Sequence, residues 1–557
     1  MRLLKEHRGF FCVIVVAGTL FISDIWAWKH FVRAESYFGL GARLMVEQGD
    51  WLAPHAPDEQ VLNKPPLTYW LIGLCYKLFG FNYGAARLPS GIAALGVLAI
   101  VYALGIRYYG KMAGLISSAM LASSLLFVGF ARLAMSDMLL TLFVTAGIAC
   151  FAVAFGSQSE KSVWPSIGFA AIALGILTKG PVALVLVGAP VFLDLALSRS
   201  LGGIKKLRLG LGLMILIGLA APYFLLLYFK LGTQPLKFFF LSENLQRFSG
   251  QVYGSSGRPF WYEFVAFFAD FAPWSLLLPI AMAAGYLAWK RGTPTNRITR
   301  ICWLWLGSTL VLFSLSSFKL DYYLLPAMPA AALIVGGMVA NSEAPGRLGK
   351  ILIKGFLLVC CAFILVAAFF SLKAAGEIQA TSALRFLPLV ISISGTILIL
   401  IWVTKNRVQA GTLALAALMV VTLLSIELAL LPTFVQYLPA RELAASVPKD
   451  RMWYTTHGTN DWANDIAFNL SEQRVVTRSP EAVGPPSVRL RIQQEQLTQA
   501  ASQPRAAVLM LENDYEWLRM RDPALKILAQ AETYGQSGVT IGILRHPKRE
   551  RLLVVGR

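Results

Sequence analysis

Three short segments hold a lysine on a conformationally restricted backbone: Lys64-Pro65-Pro66, Lys179-Gly180-Pro181 and Lys319-Leu320-Asp321. All three sit at the edge of long apolar runs, as do Glu35, Arg132, Asp137, Glu243 and Arg247, while Asp24 and Asp270 lie inside such runs. An ionisable side chain at a membrane boundary is costly, and where it departs from the ordinary charge bias of loops it marks a candidate site. Arginine grips phosphate oxygens through two parallel donors, and lysine acts as a compact point charge. Cations set among a few carboxylates at the outer membrane boundary therefore suit a lipid-linked phosphate substrate.

The elements that must position these residues are membrane spans. Of 557 residues, 56% are hydrophobic and 14% charged; a soluble chain carries roughly 25% charged residues, so a soluble enzyme is excluded. A span needs roughly 20 mainly apolar residues. About thirteen runs qualify: 9–28, 88–107, 112–130, 138–156, 163–178, 181–198, 209–230, 262–289, 301–317, 323–341, 351–372, 384–404 and 411–431, with 163–198 alternatively a re-entrant feature. The first run follows MRLLKEHR and continues without a small-residue cleavage site, so it reads as an uncleaved span rather than a signal peptide.

A net charge of +20 would suggest nucleic acid as the partner of a soluble protein. Here the basic residues gather in the inside segments at 2–8, 107–111, 160–161, 199–208, 290–300, 347–354 and 405–407, opposed on that side only by Glu6, Glu160, Asp194 and Glu343. That bias places the N-terminus and these loops in the cytoplasm and leaves no basic patch for a nucleic acid. Three segments then fall outside. The loop 29–87 contains two amphipathic stretches, 36–47 and 66–80, expected as helices on the membrane surface. The second is the loop 231–261. In the tail, short strand-like runs at 452–456, 474–478, 506–512 and 539–545 alternate with helical patterns at 460–470 and 489–501. The expected architecture is a multi-pass α-helical membrane protein, with a transmembrane unit over 1–432 and a small extracytoplasmic α/β domain over 433–557. His457 beside Asp461 reads as a structural pair in that tail. The six cysteines lie in apolar contexts and read as core or lipid-facing thiols; with no Cys-x-x-Cys or His cluster, no zinc site is expected.

The outer motifs resemble a known family. AESYFGLGARLMVEQGDWLAP followed by NKPPLTYWL is similar to the first outer loop of polyprenyl-phosphate-dependent glycosyltransferases of the GT-C fold, especially the bacterial aminoarabinose (lipid A) transferase branch, with the protein O-mannosyltransferases more distant. ARLAMSD (131–137), TKGPVAL (178–184), FFFLSENLQRFSG (238–250), PFWYEF (259–264), APWSLLLP (272–279) and FSLSSFKLDYYLLPAMPA (313–330) follow in the family's order, so the resemblance covers roughly 1–430. It implies an enzyme that moves a sugar, with inversion, from a polyprenyl (undecaprenyl) phosphate donor to a lipid or glycan acceptor such as lipid A. The reaction would take place on the periplasmic face of a bacterial inner membrane. It implies further that Lys64, Arg247 and Tyr323 hold the donor phosphate, that Asp137, after Arg132, stands beside the catalytic cavity, and that Glu35 is the second acid of an Asp-Glu pair. The chain departs from the pattern at Ala34, the first acid of that pair, at Tyr37, Asn63 and Asp321, and by the absence of histidine from 249–258. No cofactor is assigned: a divalent metal would lack its usual ligand positions. The sugar and the acceptor stay open.

The chemistry can be argued beside the resemblance. A phosphate already bound by cations is a competent leaving group, so Lys64, Arg247 and Lys319 would stabilise its growing charge, with Arg132 and Lys179 as further candidates. A hydroxyl acceptor needs a positioned carboxylate to take its proton, whereas a phosphate acceptor needs none. Asp137 and Glu35 are the candidates for that role. Each competes with a plainer reading: an Arg132–Asp137 helix pair, a solvent-facing glutamate, and for Lys179 a snorkelling side chain. Two other classes stay open. A noncatalytic relative that retains lipid binding is kept in play by Ala34. A transporter of lipid-linked or anionic substrates usually carries internal repeats, which this chain lacks.

Overall fold

The computed structural model describes residues 6–23, 25–27, 31, 33–53, 64–157, 162–199, 201–251, 257–292, 296–341, 346–377, 383–435, 440–448, 450–455, 466, 468–470, 476–478, 486–534 and 549–556. The apolar runs form helices. Among the described residues, eight are long and apolar enough to cross a bilayer: Tyr83–Tyr109, Ser136–Gly156, Gly202–Leu231, Arg297–Leu315, Tyr322–Ala340, Arg347–Lys373, Leu384–Thr404 and Val408–Ala429. Two further pairs are apolar enough together but sharply bent, Lys111–Ser123 with Leu125–Ala131 (71°) and Tyr262–Asp270 with Trp274–Lys290 (110°), giving up to ten if each bent pair is one span. Pro273 sits in the second break, where its missing N–H cannot continue a helix. The remaining expected runs form shorter helices, Arg8–Ile22, Trp164–Lys179 and Val182–Ser198. The last two are separated by Gly180, whose φ of 98° ends the first helix.

In the loop 29–87, helices Arg33–Gln48 and Leu67–Phe79 occupy the two amphipathic stretches. A buried ion pair fastens this loop to the bundle. Glu35 accepts from both Nε and Nη2 of Arg87, at 2.8 and 3.0 Å, and from the backbone N–H of Ala134 at 2.8 Å.

The tail folds around a five-stranded mixed sheet: β1 (Met452–Thr455), β2 (Val476–Arg478), β3 (Ala506–Leu511), β4 (Lys526–Tyr534) and β5 (Arg549–Gly556). Its order is β2-β1-β3-β5-β4, with β1 parallel to β2 and β3, and β5 antiparallel to β3 and β4. β3, AAVLML, is buried nearly throughout because it lies at the centre. Helix Pro486–Ser502 covers the predicted 489–501 pattern. The run 539–545, the pair His457/Asp461 and most of 460–470 lie outside the described residues, as does Asp24. β4 was not legible: KILAQAETY is rich in Ala, Gln and Glu, which carry little strand preference.

The tail rests on the loop 29–87. Arg43 donates to the carbonyls of Phe468 and of Leu470, the latter at 3.1 Å, and Asn469 Nδ2 donates to the Tyr83 hydroxyl at 2.7 Å. The Phe468 ring packs against Phe31 and Tyr83, at 4.9 and 5.1 Å between centroids. The described parts of loop 29–87 and of the tail therefore lie on one side of the bundle. All six cysteines are free thiols, and Cys150, Cys302, Cys360 and Cys361 are buried.

Candidate active site

Six of the residues singled out in sequence meet in one cavity of about 130 Å³: Lys64, Asp137, Lys179, Glu243, Arg247 and Tyr323. They arrive from five separate segments. Lys64 precedes the two prolines that lead into helix Leu67–Phe79. Asp137 lies in the first turn of helix Ser136–Gly156, and Lys179 closes helix Trp164–Lys179. A carboxylate at a helix N-terminus and an ammonium at a C-terminus are each favoured by the helix dipole, which explains why both charges are tolerated at these places. Arg247 follows a nine-residue π-helix, Phe238–Gln246, and Tyr323 lies on the 3₁₀ turn Asp321–Ala327. π-turns are rare and concentrate at functional sites.

The π-helix also delivers an acid that the sequence marks at the membrane boundary without giving it a role. Glu243 is buried and accepts from Lys64 Nζ at 2.9 Å and from Arg247 Nη1 at 2.9 Å. Its signal was present as an i,i+4 pair with Arg247 inside an aromatic run; a helix-surface pair would have read the same way. Asn244 beside it donates to the Phe239 carbonyl at 2.7 Å, closing the turn. Gly180 explains how this turn fits. A Cβ there would lie 2.7 Å from Phe239 Cζ, so the Lys179-Gly180 corner and the π-helix approach more closely than any side chain allows.

Three ion pairs set the electrostatics. Lys179 donates to Asp137, and Glu243 is shared by Lys64 and Arg247. Three cations thus face two carboxylates in the cavity, leaving one net positive charge. Burial pulls the Lys64 ammonium below the ordinary lysine value; Glu243 opposes this, while the like charges of Arg247 and Lys179 add to it. Aromatic faces complete the wall: Lys179 Nζ lies 4.6 Å from the Tyr323 ring centre, and the Arg247 guanidinium 4.6 Å from that of Phe318. Phe239, Phe248, Phe313 and Pro326 supply apolar lining. The arrangement suits a singly charged phosphodiester, whose charge would balance the cavity, attached to an apolar body.

The other sequence candidates lie elsewhere. Glu35 is 0% exposed and committed to Arg87 and the Ala134 N–H, outside this cavity. Arg132 turns to Glu427 instead of to Asp137. Lys319 is buried, with Nζ donating to the Ser316 carbonyl; its neighbours Ser316 and Phe318 line the cavity. Asp270 ends its helix at the 110° bend. For a divalent metal the donor set is poor: among the described residues no three His, Cys, Asp or Glu side chains converge, and Glu243 is already held by two cations. No step is therefore routed through a metal.

Comparison with known proteins agrees with the motifs. Residues 63–225 match the family described as dolichyl-phosphate-mannose-protein mannosyltransferase. The undecaprenyl phosphate-alpha-4-amino-4-deoxy-L-arabinose arabinosyl transferase of Pectobacterium carotovorum is 26% identical over 338 residues, 59% of this chain and 58% of that protein. One from Pseudomonas fluorescens is 27% identical over 389 residues, 67% of this chain and 64% of that protein. The chain thus spans less than two thirds of the length of these two relatives. The crystal structure of ArnT from Cupriavidus metallidurans bound to undecaprenyl phosphate superposes with a TM-score of 0.73 at 19% identity, covering 98% of this chain and 97% of that one. The chain has that multi-pass membrane fold, tail included.

Proposed function

We propose that this chain is a glycosyltransferase that takes a sugar from an undecaprenyl-type polyprenyl phosphate and places it on a lipid A-like lipid or glycan on the outer side of a bacterial inner membrane. The observation that carries the reading is the convergence of Lys64, Lys179 and Arg247 with Asp137 and Glu243 in one cavity bounded by aromatic rings. The similarity to arabinosyl transferases that use undecaprenyl phosphate supports the same donor class, and the positive-inside charge bias supports a cytoplasmic N-terminus with cavity and tail outside.

In this reading the donor phosphodiester enters the cavity and draws Lys64 and Arg247 away from Glu243. The bond between the anomeric carbon and the phosphate oxygen breaks, and the leaving phosphate gains a second negative charge. Lys64, Arg247 and Lys179 stabilise that charge where it develops, in a site with little water. The acceptor oxygen forms the new bond from the opposite face in a single displacement, which inverts the anomeric centre. Its proton passes to Asp137, which phosphate binding frees from Lys179. Glu35 serves instead as the clamp that fixes the first outer loop. Ala34 and Tyr37 adjoin that clamp, so the departures there bear on acceptor and sugar selection, and a pentose remains one choice beside a hexose or hexosamine.

The test is transfer by purified protein in vesicles, supplied with radiolabelled polyprenyl-phosphate sugars and cell-envelope extract. Transfer that disappears in Lys64→Ala and Asp137→Asn supports the reading. Undiminished transfer in both folded variants removes this cavity as the site, and no transfer with any donor favours the lipid-binding or transport alternatives.

A further inference from the structure

A second cavity, about 780 Å³, lies between helix Val182–Ser198 and the helices Ser136–Gly156 and Trp164–Lys179. Its lining is apolar apart from Arg199 at one end. On helix Val182–Ser198 the lining residues Leu184, Gly188, Phe192 and Leu195 recur at helical spacing on one face. Val182, which lines the first cavity, lies about 200° around the helix from Leu184. The two cavities share no lining residue. Leu184 and Phe192 are 44% and 70% exposed, so this groove opens sideways to the bilayer.

Its charged end is built. The segment 199–208, RSLGGIKKLR, carries Arg199, Lys205, Lys206 and Arg208 and no acid. The backbones of Arg199 and Arg208 are left-handed, with φ of 47° and 51°, an uncommon conformation for residues with a Cβ. They bracket the short helix Leu201–Leu207, which supplies Ile204 and Leu207 to the groove. Lys206 pins that helix by donating to the carbonyls of Phe155 and Ser157, at 3.0 and 2.8 Å. The nearest acid in sequence, Asp194, is buried between Arg297 and Arg300 and does not neutralise Arg199.

We infer that this groove is a binding site for an anionic phospholipid of the leaflet that the basic segment faces: its acyl chains fill the apolar groove and its phosphate meets Arg199 and Lys205. Basic pockets between spans on the cytoplasmic side recognise such headgroups. The site is independent of the transferase reading, since it uses neither the first cavity nor its charges.

The test uses the full-length protein in nanodiscs of equal phosphatidylglycerol and phosphatidylcholine, with no polyprenyl phosphate, followed by native mass spectrometry of retained lipid. The wild type should retain phosphatidylglycerol in preference. Gly188→Phe should abolish retention, because a Cβ at Gly188 meets nothing within 4 Å and the ring enters the groove without disturbing the fold. Arg199→Gln should keep lipid but lose about fivefold of the anionic preference, the effect of one interfacial cation. Equal retention of the two lipids by the wild type, or undiminished retention in Gly188→Phe, overturns the proposal. So does a loss of lipid in Lys64→Ala that Gly188→Phe does not share, since the lipid then sits in the first cavity.

Discussion

Replacing Lys64 with alanine probes the cradle through its own charge balance. The ammonium lies 2.9 Å from the Glu243 carboxylate that Arg247 also holds, and its side chain is 20% exposed. Two unit charges about 4 Å apart interact by about 4 kcal/mol at an effective dielectric of about 20. Partial water access and relaxation reduce the loss on truncating one such charge to about 2–3 kcal/mol. At about 1.36 kcal/mol per tenfold in rate, Lys64→Ala should slow transfer by about 30- to 150-fold. The cavity then has no net charge, and a bound phosphodiester would make it negative. Adding Glu243→Gln restores the single positive charge, so the double variant should regain about tenfold over Lys64→Ala, a difference of about 1.4 kcal/mol. Initial rates of sugar transfer in reconstituted vesicles measure both effects, with thermal unfolding as the check on folding. Two results refute the electrostatic reasoning: Lys64→Ala within about threefold of wild type, or a folded double variant no faster than the single.

Asp137→Asn should reduce transfer to a hydroxyl acceptor by about 100-fold or more, the usual contribution of a general base; unchanged rates with a lower melting temperature would make the Lys179 pair purely structural. Because burial lowers the Lys64 ammonium from its ordinary value of 10.5, transfer should fall on the alkaline side earlier than an ordinary lysine titrates, and Lys64→Arg should move that limb upward. The folded chain binds fewer protons than the unfolded one between the lowered value and 10.5, so this group makes stability rise with pH across that window. Gly180→Ala should cost about 1–3 kcal/mol through its positive φ, with further loss from the Phe239 contact, read as a lower melting temperature and weaker donor binding. Glu35→Ala should lower stability by about 3–5 kcal/mol by stranding buried Arg87; normal stability with lost transfer would return Glu35 to the catalytic role.

Much of this molecule was legible because membrane spans announce themselves through composition and loop charge. The helix ends were harder: the breaks at Ser124 and near Pro273 divide continuous apolar runs, and one of them hinges on a serine that punctuates nothing by itself. In the site, Lys64 and Lys179 were readable as lysines beside Pro and Gly, and Asp137 and Arg247 as charges at a membrane boundary, while Tyr323 was readable only through the family resemblance. Their partners were not. That Asp137 answers Lys179 rather than Arg132, and that Glu243 serves two cations, follows from a π-turn and from helix packing between segments far apart in sequence. Glu35 shows the converse: an acid on an amphipathic helix looks solvent-facing until the arginine that buries it, Arg87, is placed beside it. In the tail, β3 was visible as a continuous apolar run, while β4 takes its strand form from pairing with β5 rather than from its own residues.

The account stands on where the donor phosphate sits. A structure of the protein with an undecaprenyl phosphate bound reads this directly. The phosphate should lie within hydrogen-bonding distance of Lys64 and Arg247, beside Tyr323, with Glu243 displaced from at least one of its two cations. A phosphate bound at Arg132 and Glu427, or anywhere else while Lys64 and Arg247 stay locked to Glu243, would contradict it.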